Sequence, residues 1–454
     1  MTAIVRDATA GRALLVQDHQ RNRPLTNSRP GVPFFAFPRA RPAGVTLSGS
    51  PAESYEMYEG EWCMKITTPV GAFTDIVLPV PTPLSLPDGD ITALVHIESA
   101  TNCLSVNLFA ADSVGYANYS YAGQSNPAAP TFPTIARQGY VHIGINLATG
   151  DNVTDPQREW VVGAGTGMAF ATTPVAAAKL RITPAAGTQA TVRIFGVWYK
   201  ERAKQSSIVL TFDDGWATQH SAALPILEKY GLRASLGIIG PLINQSNYMT
   251  TGQLREFIAA GSECVVHGNP SNPAYPGRLN LACYDTIPEI RADLRANADF
   301  LRANDLVTNN SDQVYIYPQG VWQHAKDDRR ILDALAQEGF TAARGTVTNA
   351  VSIIGGRFAR YDRWQIPIIG HLWAGAGAGL EDANITRIIN RMTTAVNQGR
   401  CPWLTFHQFR APTNQQDIDP ANFEKICAAI AGLINSGTAV NLLATEFVAE
   451  SLAQ

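Results

Sequence analysis

The sequence has no apolar run approaching the ~20 residues that cross a bilayer. It also has no CxxC pair among its six cysteines: Cys63, Cys103, Cys264, Cys283, Cys401 and Cys427. The first absence excludes a transmembrane helix. The second argues against a thiolate zinc site or a redox dithiol and leaves reduced, mostly buried thiols; a Cys264–Cys283 bridge has no support. Charge is scarce in both signs. Only 16% of residues are charged, and the net charge is −3. That excludes a general basic field for nucleic acid or anionic membrane. Residues 1–30 lack a basic stretch followed by an apolar one, so no Sec signal is expected. What is present is a 45% apolar composition over 454 residues, the make-up of a globular protein and the length of two domains.

The two halves have different periods. Residues 1–205 read as β. Leu104, Val106 and Leu108 alternate with Ser105 and Asn107, and Val141, Ile143, Ile145 and Leu147 alternate with His142, Gly144 and Asn146. Gly-, Pro- and Asn-rich clusters separate these runs. The expectation is a jelly-roll-like β-sandwich over 46–205, suited to binding carbohydrate. Residues 1–45, with Pro24, Pro30, Pro33, Pro38 and Pro42, read as an extended arm.

From Ser206 onward, apolar strands (207–212, 233–239, 263–267, 313–317, 363–369, 401–406) alternate with helical stretches (219–230, 251–260, 286–304, 327–338, 382–398, 421–436). Gly231, Gly261, Gly339, Gly399 and Gly437 are placed to end helices, and Thr250 with Gln253 reads as a capping box. Such alternation predicts a parallel sheet, open or closed into a barrel, with function at the carboxyl ends of its strands.

Those ends are polar. The first strand runs into Asp213-Asp214-Gly215, the third into His267, the fourth into Tyr317-Pro318-Gln319-Gly320-Val321-Trp322, and the last into His407. Asp362-Arg363-Trp364 lies at another. Two adjacent acids repel, and a cation would relieve them. Two histidines at the same sheet end make an Asp/His set suited to a divalent cation beside an acid and a base.

The ordered set Thr211-Phe212-Asp213-Asp214-Gly215, His267, Tyr317-Pro318-Gln319-Gly320 and Leu404-Thr405-Phe406-His407 resembles the polysaccharide deacetylases with a NodB-homology domain, the family 4 carbohydrate esterases. The resemblance covers roughly residues 205–450 and implies that the domain at 206–454 is a distorted (β/α) barrel. It implies Asp213 as catalytic base, His407 as general acid, and Asp214 and His267 as ligands of a divalent metal, Zn²⁺ by expectation. It further implies Tyr317, Pro318, Gly320, Trp322, Asp362, Trp364 and Leu404 as groove and pocket lining. The family's second histidine is Ser271 here, which leaves Asn269, Asn272, His324 or a water as further ligand. The family's arginine before the proline is Tyr317.

The expected activity is hydrolysis of N-acetyl or O-acetyl groups on an acetylated polysaccharide. The alternatives are a non-catalytic glycan-binding protein and an amidase acting on small C–N bonds. A β-rich first half behind a Pro-rich arm also resembles surface-acting parts of phage particles, so the expected location is such a particle or else the cytoplasm. His220 and Gln219 are read as a helix start and His371 with Trp373 as a surface loop. His19, His96 and His142 are given no chemistry.

Overall fold

The computed structural model describes residues 32–345, apart from 59–60, 81–83, 85–88, 126–138, 147–160, 165–173, 202–204 and 325–327. Beyond 345 it describes 364, 366, 368, 382–397, 401–413 and 417–452. Residues 1–31, Asp362, His371, Trp373 and Gly399 lie outside the described residues.

Among the described residues of the first half there are two antiparallel six-stranded sheets. One orders Ala52–Tyr58, Glu61–Thr67, Thr191–Glu201, Gly89–Ile97 and Gly139–Asn146. The other orders Val161–Ala164, Tyr119–Ser125, Cys103–Ala111, Ala177–Pro184, Thr74–Leu78 and Thr46–Leu47. Inward residues of both, such as Ile66, Val95, Val192, Leu108 and Leu180, join one apolar cluster. Of the alternation read at 104–108, Val106 and Leu108 point into this cluster, but Leu104 is exposed and Ser105 buried; in 141–147, Ile143 joins the cluster. One expectation needs correction. Val32–Ala36 is not part of a free arm but a strand paired antiparallel with Thr191–Glu201, and Pro33 is accommodated near a register shift.

The second half holds a seven-stranded, all-parallel sheet. Its order is Ala342–Arg344, Val314–Ile316, Glu263–His267, Ser235–Ile239, Ser206–Phe212 and Trp403–Phe406; Ala439–Leu442 pairs with the first half of Ser206–Phe212. Helices Leu224–Tyr230, Thr251–Ala259, Ile287–Ala303, Arg330–Gln337, Asp382–Asn397 and Pro420–Asn435 alternate with the strands close to the expected bounds. Thr250 and Gln253 form the expected capping box, and Thr286 with Glu289 form a second. Gly231, Gly261, Gly339 and Gly437 take positive φ as C-terminal glycines do. Among the described residues no helix is long and apolar enough to cross a membrane, and the six cysteines are buried and form no disulfide.

Side-chain parity sorts this sheet into two faces. Ile208, Leu210 and Phe212, Cys264 and Val266, Tyr315, Ala343, Leu404 and Phe406 enter the large cluster shared with the helices. Val209, Val265, Val314, Ile316, Ala342 and Trp403 enter a separate cluster on the opposite face. Phe212 anchors the helix side, with ring centroids 4.8 Å from Phe409, 5.7 Å from Phe423 and 6.0 Å from Phe406. Asp213, His267, Arg344 and His407 all fall on the phase of the second cluster. Four polar side chains from four strands therefore share one face at one end of the sheet.

Candidate active site

Register brings these residues level. Phe212 pairs with Phe406, and the Asp213 N–H donates to the Phe406 carbonyl at 2.9 Å, which sets Asp213 beside His407. Arg344 pairs with Ile316 and Ile316 with His267. The Gln219 side-chain amide closes the rim, donating to the Asp213 carbonyl at 2.6 Å and the His407 carbonyl at 2.9 Å. Gln219, read from sequence only as a helix start, thus ties two site strands together.

The adjacent acids avoid each other through the backbone. Asp213 ends an extended strand, whereas Asp214 adopts φ +75° and Gly215 φ +83°. A left-handed aspartate is tolerated because its short side chain clashes little. The turn sends the two carboxylates to different partners. Asp213 Oδ1 accepts from Arg344 Nη2, and its Oδ2 lies 3.8 Å from His407 Nε2. Asp214 Oδ1 lies 3.3 Å from His267 Nε2, and its Oδ2 accepts from the Trp216 indole N–H at 2.9 Å.

Burial differs sharply within the set. Arg344 is wholly buried, and the Asp213 side chain is 4% exposed. Asp214 and His407 keep 21% and 24% of their side chains open. The interior pair therefore forms a fixed base, while Asp214 and His407 face the opening. Burial pushes the Asp214 carboxyl up, but the His267 contact, the nearby His407 and the Trp216 N–H outweigh it and hold it well below the usual range. Burial opposes charge on His267, yet Asp214 and Asp213 raise it overall.

A divalent cation is tested by the donor set. His267 Nδ1 lies 2.8 Å from the Ile316 carbonyl. That contact keeps the proton on Nδ1 and frees Nε2, on the Asp214 side, to ligate. Asp214 and His267 thus fit as two ligands. Ser271, at the position of the family's second histidine, is exposed. The Asn272 amide is engaged elsewhere: its nitrogen donates to the Cys283 carbonyl and its oxygen accepts from Ala274 N–H. His324 lies in the fields of Arg330, Asp328 and Asp285. Among the described residues no group of three or more His, Cys, Asp or Glu side chains converges as a metal set.

The residues expected as lining are buried. Tyr317, Trp322, Trp364 and Leu404 are all buried members of the helix-side cluster. Leu404 sits on the wrong strand phase to face the acids, and Tyr317 continues the phase of Tyr315. Pro318 and Gly320 are buried in a short 3-10 turn whose intervening Gln319 has φ +55°. The charge that Tyr317 lacks comes instead from Arg344, one strand away. Sequence reading missed Arg344 because its strand, Ala342–Arg344, is three residues long and mostly alanine. The signal available was an arginine closing a short apolar segment after helix-ending Gly339.

Gly268 follows His267 at a crowded point. A Cβ there would lie 2.8 Å from the Tyr315 hydroxyl and 3.1 Å from Asp293 Oδ1. Gly268→Ala is expected to cost about 1–3 kcal/mol by overpacking. Urea denaturation measures this; an unchanged midpoint would mean that the Tyr315 ring yields freely.

Comparison with known proteins agrees with the motif set. The polysaccharide deacetylase family model matches residues 200–343. Over 67 residues the chain is 30% identical to YxkH of Bacillus subtilis, provisionally named a polysaccharide deacetylase; the match takes in 15% of this chain and 24% of that protein's length. The chain thus spans about a quarter of the curated relative it matches. Among solved structures, the family 4 carbohydrate esterase from Streptomyces lividans, in complex with acetate, is 15% identical with a TM-score of 0.32, covering 53% of this chain and 93% of that one. The Xyl-CE4 domain of a multidomain xylanase from the Trinervitermes trinervoides hindgut metagenome is 16% identical with a TM-score of 0.34, covering 54% and 91%. A Mycobacterium smegmatis protein, provisionally named a polysaccharide deacetylase, is 16% identical with a TM-score of 0.40, covering 55% and 91%.

Proposed function

We propose, on the premise that residues 200–343 belong to the polysaccharide deacetylase family, that this chain hydrolyses acetyl groups on a polysaccharide in a metal-dependent reaction. The observation that carries the reading is Asp213, held between buried Arg344 and partly open His407, with Asp214 and His267 beside it.

In this reading Asp213 Oδ2 accepts the proton of the attacking water while Arg344, bonded to Oδ1, holds the carboxylate in place. His407, across the opening, gives its proton to the departing amine nitrogen or alcohol oxygen. Asp214 and His267 would hold the cation, which would supply Lewis-acid polarisation of the acetyl carbonyl. Trp216 keeps Asp214 turned toward His267, and the Ile316 carbonyl keeps the His267 tautomer. N-acetyl on an amino sugar is the first target proposed, O-acetyl the second. We also place the boundary between a carbohydrate-binding first half and the catalytic second half at 205/206, where the apolar clusters separate.

Acetate release from N-acetylated and O-acetylated glycans tests the reading. Chelation is expected to abolish release from the wild-type chain, and added Zn²⁺ to restore it. Release that survives exhaustive chelation would remove the metal from the proposal. No release from any acetylated glycan, with Zn²⁺ present, would remove the activity.

A further inference from the structure

A pair of stacked aromatic rings lies against the ligand carboxylate. The Trp216 ring packs on Tyr248 with centroids 4.5 Å apart and planes 19° from parallel. The two residues also form an antiparallel bridge. Two backbone hydrogen bonds pin it: Ala217 N–H to the Asn247 carbonyl and Met249 N–H to the Gly215 carbonyl, both 2.9 Å. Tyr248 therefore rides on a turn, whose Asn244 and Asn247 take left-handed φ of 68° and 71°. Residues 244–247 of that turn are exposed, and both rings are half-buried. The indole N–H points inward to Asp214 Oδ2 at 2.9 Å.

We infer that Trp216 and Tyr248 form a clamp with two separable jobs, an inference that rests on the deacetylase reading. Trp216 is a positioning residue. Its N–H occupies one oxygen of Asp214 and leaves the other, Oδ1, turned to His267 and to a cation. Partners that orient a ligating carboxylate in this way commonly set metal affinity by 10–100-fold. Tyr248, locked against Trp216, supplies a flat apolar wall at the opening. Such a wall suits the C–H face of a pyranose ring, so the ligand class is a hexose or pentose unit of the acetylated chain. Rigid, pre-stacked rings lose little conformational freedom on binding, which favours this use.

The test separates the two jobs by substitution and by readout. Trp216→Phe keeps a ring on Tyr248 but removes the N–H. Its Zn²⁺ dissociation constant, measured by calorimetry on the metal-stripped full chain, is expected to rise roughly tenfold. Affinity for chitopentaose or acetylated xylopentaose should stay within about twofold. Tyr248→Ala leaves the N–H in place. It is expected to weaken oligosaccharide binding about tenfold and raise KM with kcat little changed, a free-energy change of about 1.4 kcal/mol. Its Zn²⁺ affinity should remain near wild type, and Tyr248→Phe should behave as wild type in both. Trp216→Phe binding Zn²⁺ as tightly as wild type overturns the positioning role. Tyr248→Ala with unchanged sugar affinity, or a wild-type chain that binds neither oligosaccharide, overturns the wall. Because binding is read without turnover, a chain that releases no acetate but shows both shifts would sink the deacetylase reading and leave the clamp standing.

Discussion

Exchange of Asp213 for asparagine is expected to lower kcat for deacetylation by on the order of 10²–10⁴, the usual contribution of a positioned proton carrier. The carboxylate is buried, accepts from Arg344 and faces His407 at 3.8 Å, so few other groups can take the water's proton from that place. Asparagine keeps the shape and one acceptor oxygen, so binding of the cation by Asp214 and His267 should persist. Initial rates of acetate release, with Zn²⁺ affinity measured alongside, check this. Loss of Zn²⁺ binding in Asp213→Asn would mean that Asp213 is itself a ligand. A rate within about tenfold of wild type would mean that the base lies elsewhere.

Arg344→Met is expected to destabilise the fold by about 3–5 kcal/mol, because it strands a buried carboxylate without its partner. The guanidinium is wholly buried, and its Nη2 donates directly to Asp213. The double substitution Asp213→Asn with Arg344→Met removes both charges. It should recover most of the lost stability while acetate release stays as low as in Asp213→Asn. Equilibrium urea unfolding of wild type, both single variants and the double variant closes the cycle. Equal and additive losses in the two single variants would show that the two groups are not coupled, and the assignment of Arg344 as the holder of Asp213 would fall.

Most of the second half was legible from short-range pattern. Largely apolar runs at 207–212 and 263–267, alternating with helical stretches, fit strands buried on both faces, and parallel strands bring their carboxyl ends to one side. Asp213, Asp214, His267 and His407 could be placed together on that ground, and the structure brings them together. Three features were not legible. Ala342–Arg344 and Ala439–Leu442 are too short to stand out, since their pairing lies in contacts distant in sequence. The burial of Tyr317 and Leu404 was hidden too, because strand parity, which turns them into the helix-side core, shows only once the strands are paired. Val32–Ala36 looked like an arm because Pro33 and the prolines around it hide a strand that only a partner over 150 residues later completes.

The sequence by itself determined which groups could do chemistry at the sheet end: two adjacent acids and two histidines, each closing an apolar strand. The tertiary structure alone decided how they divide the work. The left-handed turn at Asp214 separates the two acids, and the pairing of five parallel strands carries the Arg344 charge to Asp213. The physical reason is distance. Strand endings follow from residues a few positions apart, whereas the partner of a buried charge follows from the pairing of strands more than a hundred residues apart.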